Sequence, residues 1–121
     1  MTARVNGVEG RVLGDGVMAL FDTARTAIAC TFKYREAASN LALDLHVGLH
    51  AGDVIEGDND VHGGAVNLAA RICGASAPGE VLVSDTFRRL ARTSARVTFE
   101  DRGEHMLKGV ADPARLYAVR A

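Results

Sequence analysis

Between residues 43 and 50 the chain alternates strictly. Leu43, Leu45, Val47 and Leu49 are apolar, and Asp44, His46, Gly48 and His50 separate them. A period of two marks a strand with one buried face. The period changes to helical over residues 24–39, where Ala27, Ile28, Thr31 and Phe32 recur at intervals of three and four. Asp22 and Thr23 precede that run and are of the types that cap a helix. Residues 64–76 read as a second helix, and residues 85–91 as a short third one capped by Ser84-Asp85. Apolar runs at 9–13 and 17–21 flank Gly14-Asp15-Gly16, which predicts a hairpin because glycine tolerates positive φ. A short strand at 53–56 is expected beside the 43–50 strand. Further strands are expected at 80–84, at 97–107 with a bulge at Gly103, and at 115–119. The predicted order, ββαββαβαββ, implies an α+β sandwich with a mainly antiparallel sheet and its helices on one face.

Length narrows this to one small domain, residues 1–121. Apolar residues make up 48% and charged residues 24%, the balance of a globular domain. The formal net charge of -1 gives no nucleic-acid or anionic-membrane footprint. Arg88, Arg89 and Arg92 read as a solvated helix face. Cys30 and Cys73 lack metal-ligand spacing and are too few for a disulfide scaffold, so both are expected as reduced thiols in a cytoplasmic protein. No apolar run approaches the ~18 residues of a membrane span, and the N-terminus lacks a signal-peptide apolar region.

Candidate chemistry concentrates in residues 60–80, Asp-Val-His-Gly-Gly-Ala-Val-Asn-Leu-Ala-Ala-Arg onwards. At about 100° per residue, Ala65, Leu68, Ala69 and Ile72 form one stripe of the helix, and Asn67 and Arg71 share another face. Asn67 offers a donor and an acceptor, and Arg71 a rigid fork that matches phosphate. Together they suit a polyphosphate ester; a solvated polar face is the alternative. Asp60, in an Asp-Asn-Asp run, is equally a turn residue. Asp15 sits open between two glycines, as a carboxylate for a hard cation does, and as an ordinary acidic turn does. His46 and His50 cannot share a zinc ion, because four strand residues span about 13 Å and zinc bonds are about 2 Å.

Taken in order, the segments GRVLGDGVMALF, HVGLHAGDVI, DVHGGAVNLAARI, PGEVLVS and GEHMLKGV, ending in LYAV, resemble the catalytic domain of the class III adenylate and guanylate cyclases. The resemblance covers residues 7–119 and implies a ferredoxin-like, cyclase-type sandwich. It implies that Asp15 is one of two aspartates holding Mg²⁺ or Mn²⁺. Asn67 and Arg71 match the pair that steadies the ribose and the pentavalent phosphorus. Asp60 matches the acceptor that reads the adenine amino group, and Lys108 a lysine that binds the terminal phosphates. It further implies a site shared between two subunits, either a homodimer or a heterodimer with another cyclase domain, acting on ATP to form cyclic AMP and pyrophosphate.

Two departures from the family pattern stand out. The Phe-x-Asp-x-x-x-Phe-Thr motif that carries the first metal aspartate has no match in residues 1–121, and the initial strand and helices of the family domain are not matched either. The expectation is a domain incomplete at its N-terminus. Secondly, the family's adenine-reading lysine falls on Arg11, which can donate to purine N1 but is bulkier. Three readings stay open: an adenylate-cyclase-type enzyme, a degenerate module that binds nucleotide or pairs with an intact subunit, and a structural dimerisation domain.

Overall fold

The computed structural model describes residues 2–5, 8–13, 16–21, 23–43, 45–51, 55–56, 61–62, 64–92 and 97–120. Three antiparallel strands come first: β1 (Thr2–Val5), β2 (Val8–Leu13) and β3 (Gly16–Phe21), in the order β1-β2-β3. The expected hairpin is β2–β3, with Leu13 opposite Gly16 and Val8 opposite Phe21. Strand β1 is an addition. It pairs Val5 with Val8 across Asn6-Gly7, a dipeptide that favours two-residue hairpin turns.

Helix α1 (Ala24–Asn40) begins at Thr23, whose hydroxyl accepts from the Thr26 N–H at 3.1 Å. Its end is a Schellman motif. The Ala42 N–H donates to the Ser39 carbonyl at 3.0 Å, and the Leu43 N–H to the Ala38 carbonyl at 2.8 Å. Ala42 adopts φ 58°, the left-handed conformation usually taken by glycine at this position. This closure corrects the strand expected from residue 43. The Leu43 N–H is used by the helix, Leu43 is exposed, and β4 spans only Val47–Leu49.

Of the strand expected at 53–56, residues 53–54 lie outside the described residues; its described part, β5 (Ile55–Glu56), pairs antiparallel with β6 (Val61–His62). Helix α2 (Gly64–Ala75) follows, then β7 (Val81–Ser84), α3 (Asp85–Ala91), β8 (Thr98–His105) and β9 (Ala114–Arg120). The Ser84 hydroxyl caps α3 by accepting from the Phe87 N–H at 3.2 Å. The bulge is where the sequence places it: the β8–β9 register shifts between Asp101 and Glu104, and Gly103 has φ 78°.

The larger sheet runs β4-β7-β9-β8, parallel between β4 and β7 and antiparallel elsewhere. The α+β class and the mainly antiparallel pairing are as expected. The helices, however, divide between two faces. Val81 and Val83 pack with Ala27 and Ile28 of α1 and Phe87 and Ala91 of α3. Leu82, which points the other way from β7, packs with Ile72 of α2, Leu107, Leu116 and Ala118. All four residues of β7 are buried, so this strand needs cover on both sides.

Candidate functional site

Helix α2 is placed by its apolar stripe. Ile72 is fully buried, and Leu68 packs beside it at the edge of the same cluster. Asn67 and Arg71 lie on the opposite side of the helix and are exposed, as the helical spacing predicts. The helix also lies unusually close to β4. A Cβ added to Gly48 would meet the Cys73 amide nitrogen and stand 2.6 Å from the Ala69 carbonyl oxygen. Glycine at 48 therefore lets the backbone of α2 rest directly on the strand.

Lys108 reaches the same place from a distant part of the chain. It follows β8 in a tight turn, closed by the Val110 N–H donating to the Leu107 carbonyl at 3.0 Å. Leu107 is buried in the cluster that holds Ile72, and Val110 packs against that cluster. The turn and α2 thus share one apolar support. Between them lies an open cleft of about 520 Å³, lined by Asn67, Leu68 and Arg71 on one side and Lys108, Gly109, Val110 and Ala111 on the other. Its rim carries one amide and two cations over an apolar floor of Leu68 and Val110. A polyphosphate with an attached nucleoside needs such a mixture of cationic donors and apolar surface.

Three of the six residues singled out from the sequence, Asn67, Arg71 and Lys108, are thereby brought to one cleft. Asp15 and Asp60 lie outside the described residues. Arg11 is in β2, opposite Thr2 and Met18. Among the described residues no group of three or more His, Cys, Asp or Glu is placed to hold a metal ion. The histidines of the alternating segment have separate partners. His46 Nδ1 lies 2.8 Å from the Ser76 carbonyl oxygen, and His50 Nδ1 lies 2.7 Å from the Ser84 hydroxyl. Burial lowers the pKa of His50 and raises that of the Cys73 thiol. Cys30 and Cys73 are free thiols, both half-buried.

The family model described as the adenylate and guanylate cyclase catalytic domain matches residues 13–121. The chain belongs to this family. It is 32% identical over 120 residues, 90% of its length, to a putative adenylate cyclase 3 of Rhizobium meliloti (strain 1021). It is 28% identical over 115 residues to a pH-sensitive adenylate cyclase of Mycobacterium tuberculosis (strain CDC 1551 / Oshkosh). The chain spans 20% of the first relative's length and 29% of the second's. Among solved structures, an adenylate/guanylate cyclase/hydrolase from Silicibacter pomeroyi superposes with a TM-score of 0.83 at 29% identity. That match covers 95% of this chain and 73% of the other. The adenylyl cyclase CyaB from P. aeruginosa shares the fold, with a TM-score of 0.77 at 22% identity over 93% of this chain and 70% of that one.

Within this cyclase domain the structure adds supporting residues that sequence reasoning passed over. Gly48 sets the seat of α2, and Leu107 and Val110 anchor the Lys108 turn. The signal for Gly48 was present: it is the one residue of the 43–50 segment without a side chain, and it stands on the polar phase of the alternation. No helix among the described residues is long and apolar enough to cross a membrane.

Proposed function

We propose that residues 1–121 form an adenylate-cyclase-type domain that converts ATP to 3′,5′-cyclic AMP and pyrophosphate, with a site completed across a dimer. The observation that carries this reading is the convergence of Asn67, Arg71 and Lys108 on one cleft from two separate segments. In the reaction the ribose 3′-hydroxyl attacks the α-phosphorus, and negative charge grows on the phosphoryl oxygens and the departing pyrophosphate. Arg71 meets the α-phosphoryl oxygens with its planar fork. Lys108 neutralises the terminal phosphates and stays with them as they leave. Asn67 holds the ribose through its amide, so the 3′-hydroxyl faces the phosphorus.

On this reading Asp60 accepts from the adenine amino group, where guanine would present a carbonyl, and Arg11 donates to purine N1. Asp15 is the residue of this chain that would help hold Mg²⁺ or Mn²⁺, which supply Lewis-acid activation of the attacking hydroxyl and charge neutralisation when bound. Cyclic AMP formation makes the domain part of a signalling protein, and its partners are ATP and a second cyclase domain.

The test is metal-dependent cyclic AMP formation from ATP by the purified chain and by Asn67→Ala and Arg71→Ala. Each substitution removes a transition-state contact of about 3–4 kcal/mol and should lower kcat a few hundredfold. Full activity in either variant overturns the mechanism.

A second reading is favoured by one sequence observation, the presence of only one of the two metal aspartates in residues 1–121. On that reading the chain binds nucleotide and lends Asn67 and Arg71 to an intact cyclase subunit. It expects nucleotide binding without turnover by the chain alone, and activity when an intact subunit is added.

A further inference from the structure

Lys108 and Gly109 form the exposed tip of the turn that walls the cleft. Lys108 and Gly109 are both exposed, while Leu107 is 8% exposed and Val110 is half-buried. Gly109 has φ 78°. A glycine with φ near +80° at the third position, with a hydrogen bond closing Leu107 to Val110, is the arrangement of a type II turn. In such a turn the second residue, here Lys108, stands at the corner with its direction set by the two backbone units around it. Nothing lies within 4 Å of a Cβ added at Gly109, so neighbouring atoms leave room for a side chain. The requirement for glycine is purely one of backbone conformation.

The two flanking residues explain why this conformation matters for the cleft. Leu107 and Val110 are both tied to the cluster containing Ile72, the residue that follows Arg71 on α2. With both ends of the turn pinned there, only the peptide units at Lys108 and Gly109 can change. A residue that disfavours positive φ would flip or flatten the tip, and the lysine would leave its direction over the cleft.

We propose that Gly109 is a positioning residue for Lys108. Its left-handed conformation aims the ammonium group across the cleft towards Arg71 and so sets affinity for a polyphosphate chain. This deepens the reading of the cleft as an ATP site and rests on it.

The molecule contains its own control. Gly103, in the β8 bulge, also has φ 78° and also has open space around an added Cβ, and it does not line the cleft. Alanine at 103 and alanine at 109 therefore impose the same type of backbone strain, with the cleft touched in one case only. Calorimetric binding of inorganic tripolyphosphate and of ATP would be measured for the 121-residue chain and for Gly103→Ala, Gly109→Ala, Lys108→Ala and the double variant Lys108→Ala/Gly109→Ala. Thermal melting of each would be recorded alongside.

The two glycine variants should melt at similarly lowered temperatures. Gly109→Ala should bind both probes roughly three- to tenfold more weakly than Gly103→Ala, the scale of coupling between neighbouring groups. That loss should vanish when Lys108 is already alanine. Gly109→Asn should recover much of the affinity, since asparagine enters the left-handed region readily. Equal affinity in Gly109→Ala and Gly103→Ala, or a loss that persists in the Lys108→Ala background, overturns the positioning role and leaves the ATP reading intact. Wild-type binding that is absent, or unchanged in Lys108→Ala, overturns the reading of the cleft and this inference together.

Discussion

Gly48 lies directly beneath Cys73: a Cβ on the glycine would collide with the cysteine's amide nitrogen and stand 2.8 Å from its Cα. The obstacle is helix backbone, which cannot rotate aside as a side chain can. Gly48→Ala should therefore lift α2 from β4, with an overpacking cost of about 3 kcal/mol. Chemical denaturation reads this directly. A variant with an unchanged unfolding midpoint would show that α2 can rise without resistance.

Arg71 is exposed and contributes no core packing. Arg71→Ala should leave stability within about 0.5 kcal/mol of wild type. Its kcat should fall by a few hundredfold, about 3–4 kcal/mol of transition-state stabilisation. Arg71→Lys should give an intermediate rate, because it restores the charge without the fork. Parallel melting curves and initial rates separate the two effects.

His50 should make the fold sensitive to acid. Burial lowers its pKa in the folded state below its ordinary 6.5. As pH falls below 6.5 the unfolded chain takes up a proton at this position and the folded chain does not. Unfolded chains then bind more protons, so stability declines with falling pH until the lowered folded value is passed. His50→Gln keeps a hydrogen-bonding group near Ser84 without titrating there. Its stability should fall less steeply between 6.5 and that lower value, as read from denaturation midpoints across the window.

Ser84 serves two partners, the Phe87 N–H at 3.2 Å and His50 Nδ1 at 2.7 Å. Ser84→Ala removes the α3 cap and leaves a half-buried imidazole without its hydroxyl. The expected loss is about 1–2 kcal/mol. At roughly 4–8 °C per kcal/mol for a domain near this size, calorimetry would resolve it. Ser84→Thr keeps a capping oxygen and should lose much less.

Ala42 holds φ 58° in the Schellman closure of α1. Alanine tolerates that conformation less well than glycine. Ala42→Gly should raise stability by about 0.5–1 kcal/mol, measured as a higher denaturation midpoint. A lower midpoint would mean that the added freedom of the unfolded chain outweighs the relief of strain.

Elements governed by local periodicity and caps were legible in the sequence. Helix α1 ends one residue beyond its expected limit, α3 begins at the expected Ser84 cap, and the bulge is at Gly103. The start of β4 was hidden because alanine, not glycine, occupies the left-handed position after α1. The usual stop signal is missing there, and the alternation continues through Leu43 and Leu45. Strand β1 has its sequence signal in Asn6-Gly7, a dipeptide that favours two-residue hairpin turns. The continuous apolar run Val81-Leu82-Val83 likewise announced burial on both faces, and so helices on both sides.

The Asn67–Arg71 face followed from helical spacing alone. Its meeting with Lys108 did not, because that depends on Leu107, Val110 and Ile72 sharing one cluster, which no local pattern records. Family resemblance was the only sequence-level route to it.

The strand order β4-β7-β9-β8 has a consequence for biosynthesis. Strand β9, the last described in the chain, lies inside the sheet and separates β7 from β8. Its Leu116 and Ala118 complete the cluster that supports both walls of the cleft. A nascent chain that has released Asn67 and Arg71 from the ribosome still lacks this support until residues near 120 have emerged. The cleft therefore gains its full support only once β9 has been translated, and products cut short before β9 carry Asn67, Arg71 and Lys108 over a cluster reduced to Ile72, Leu82 and Leu107.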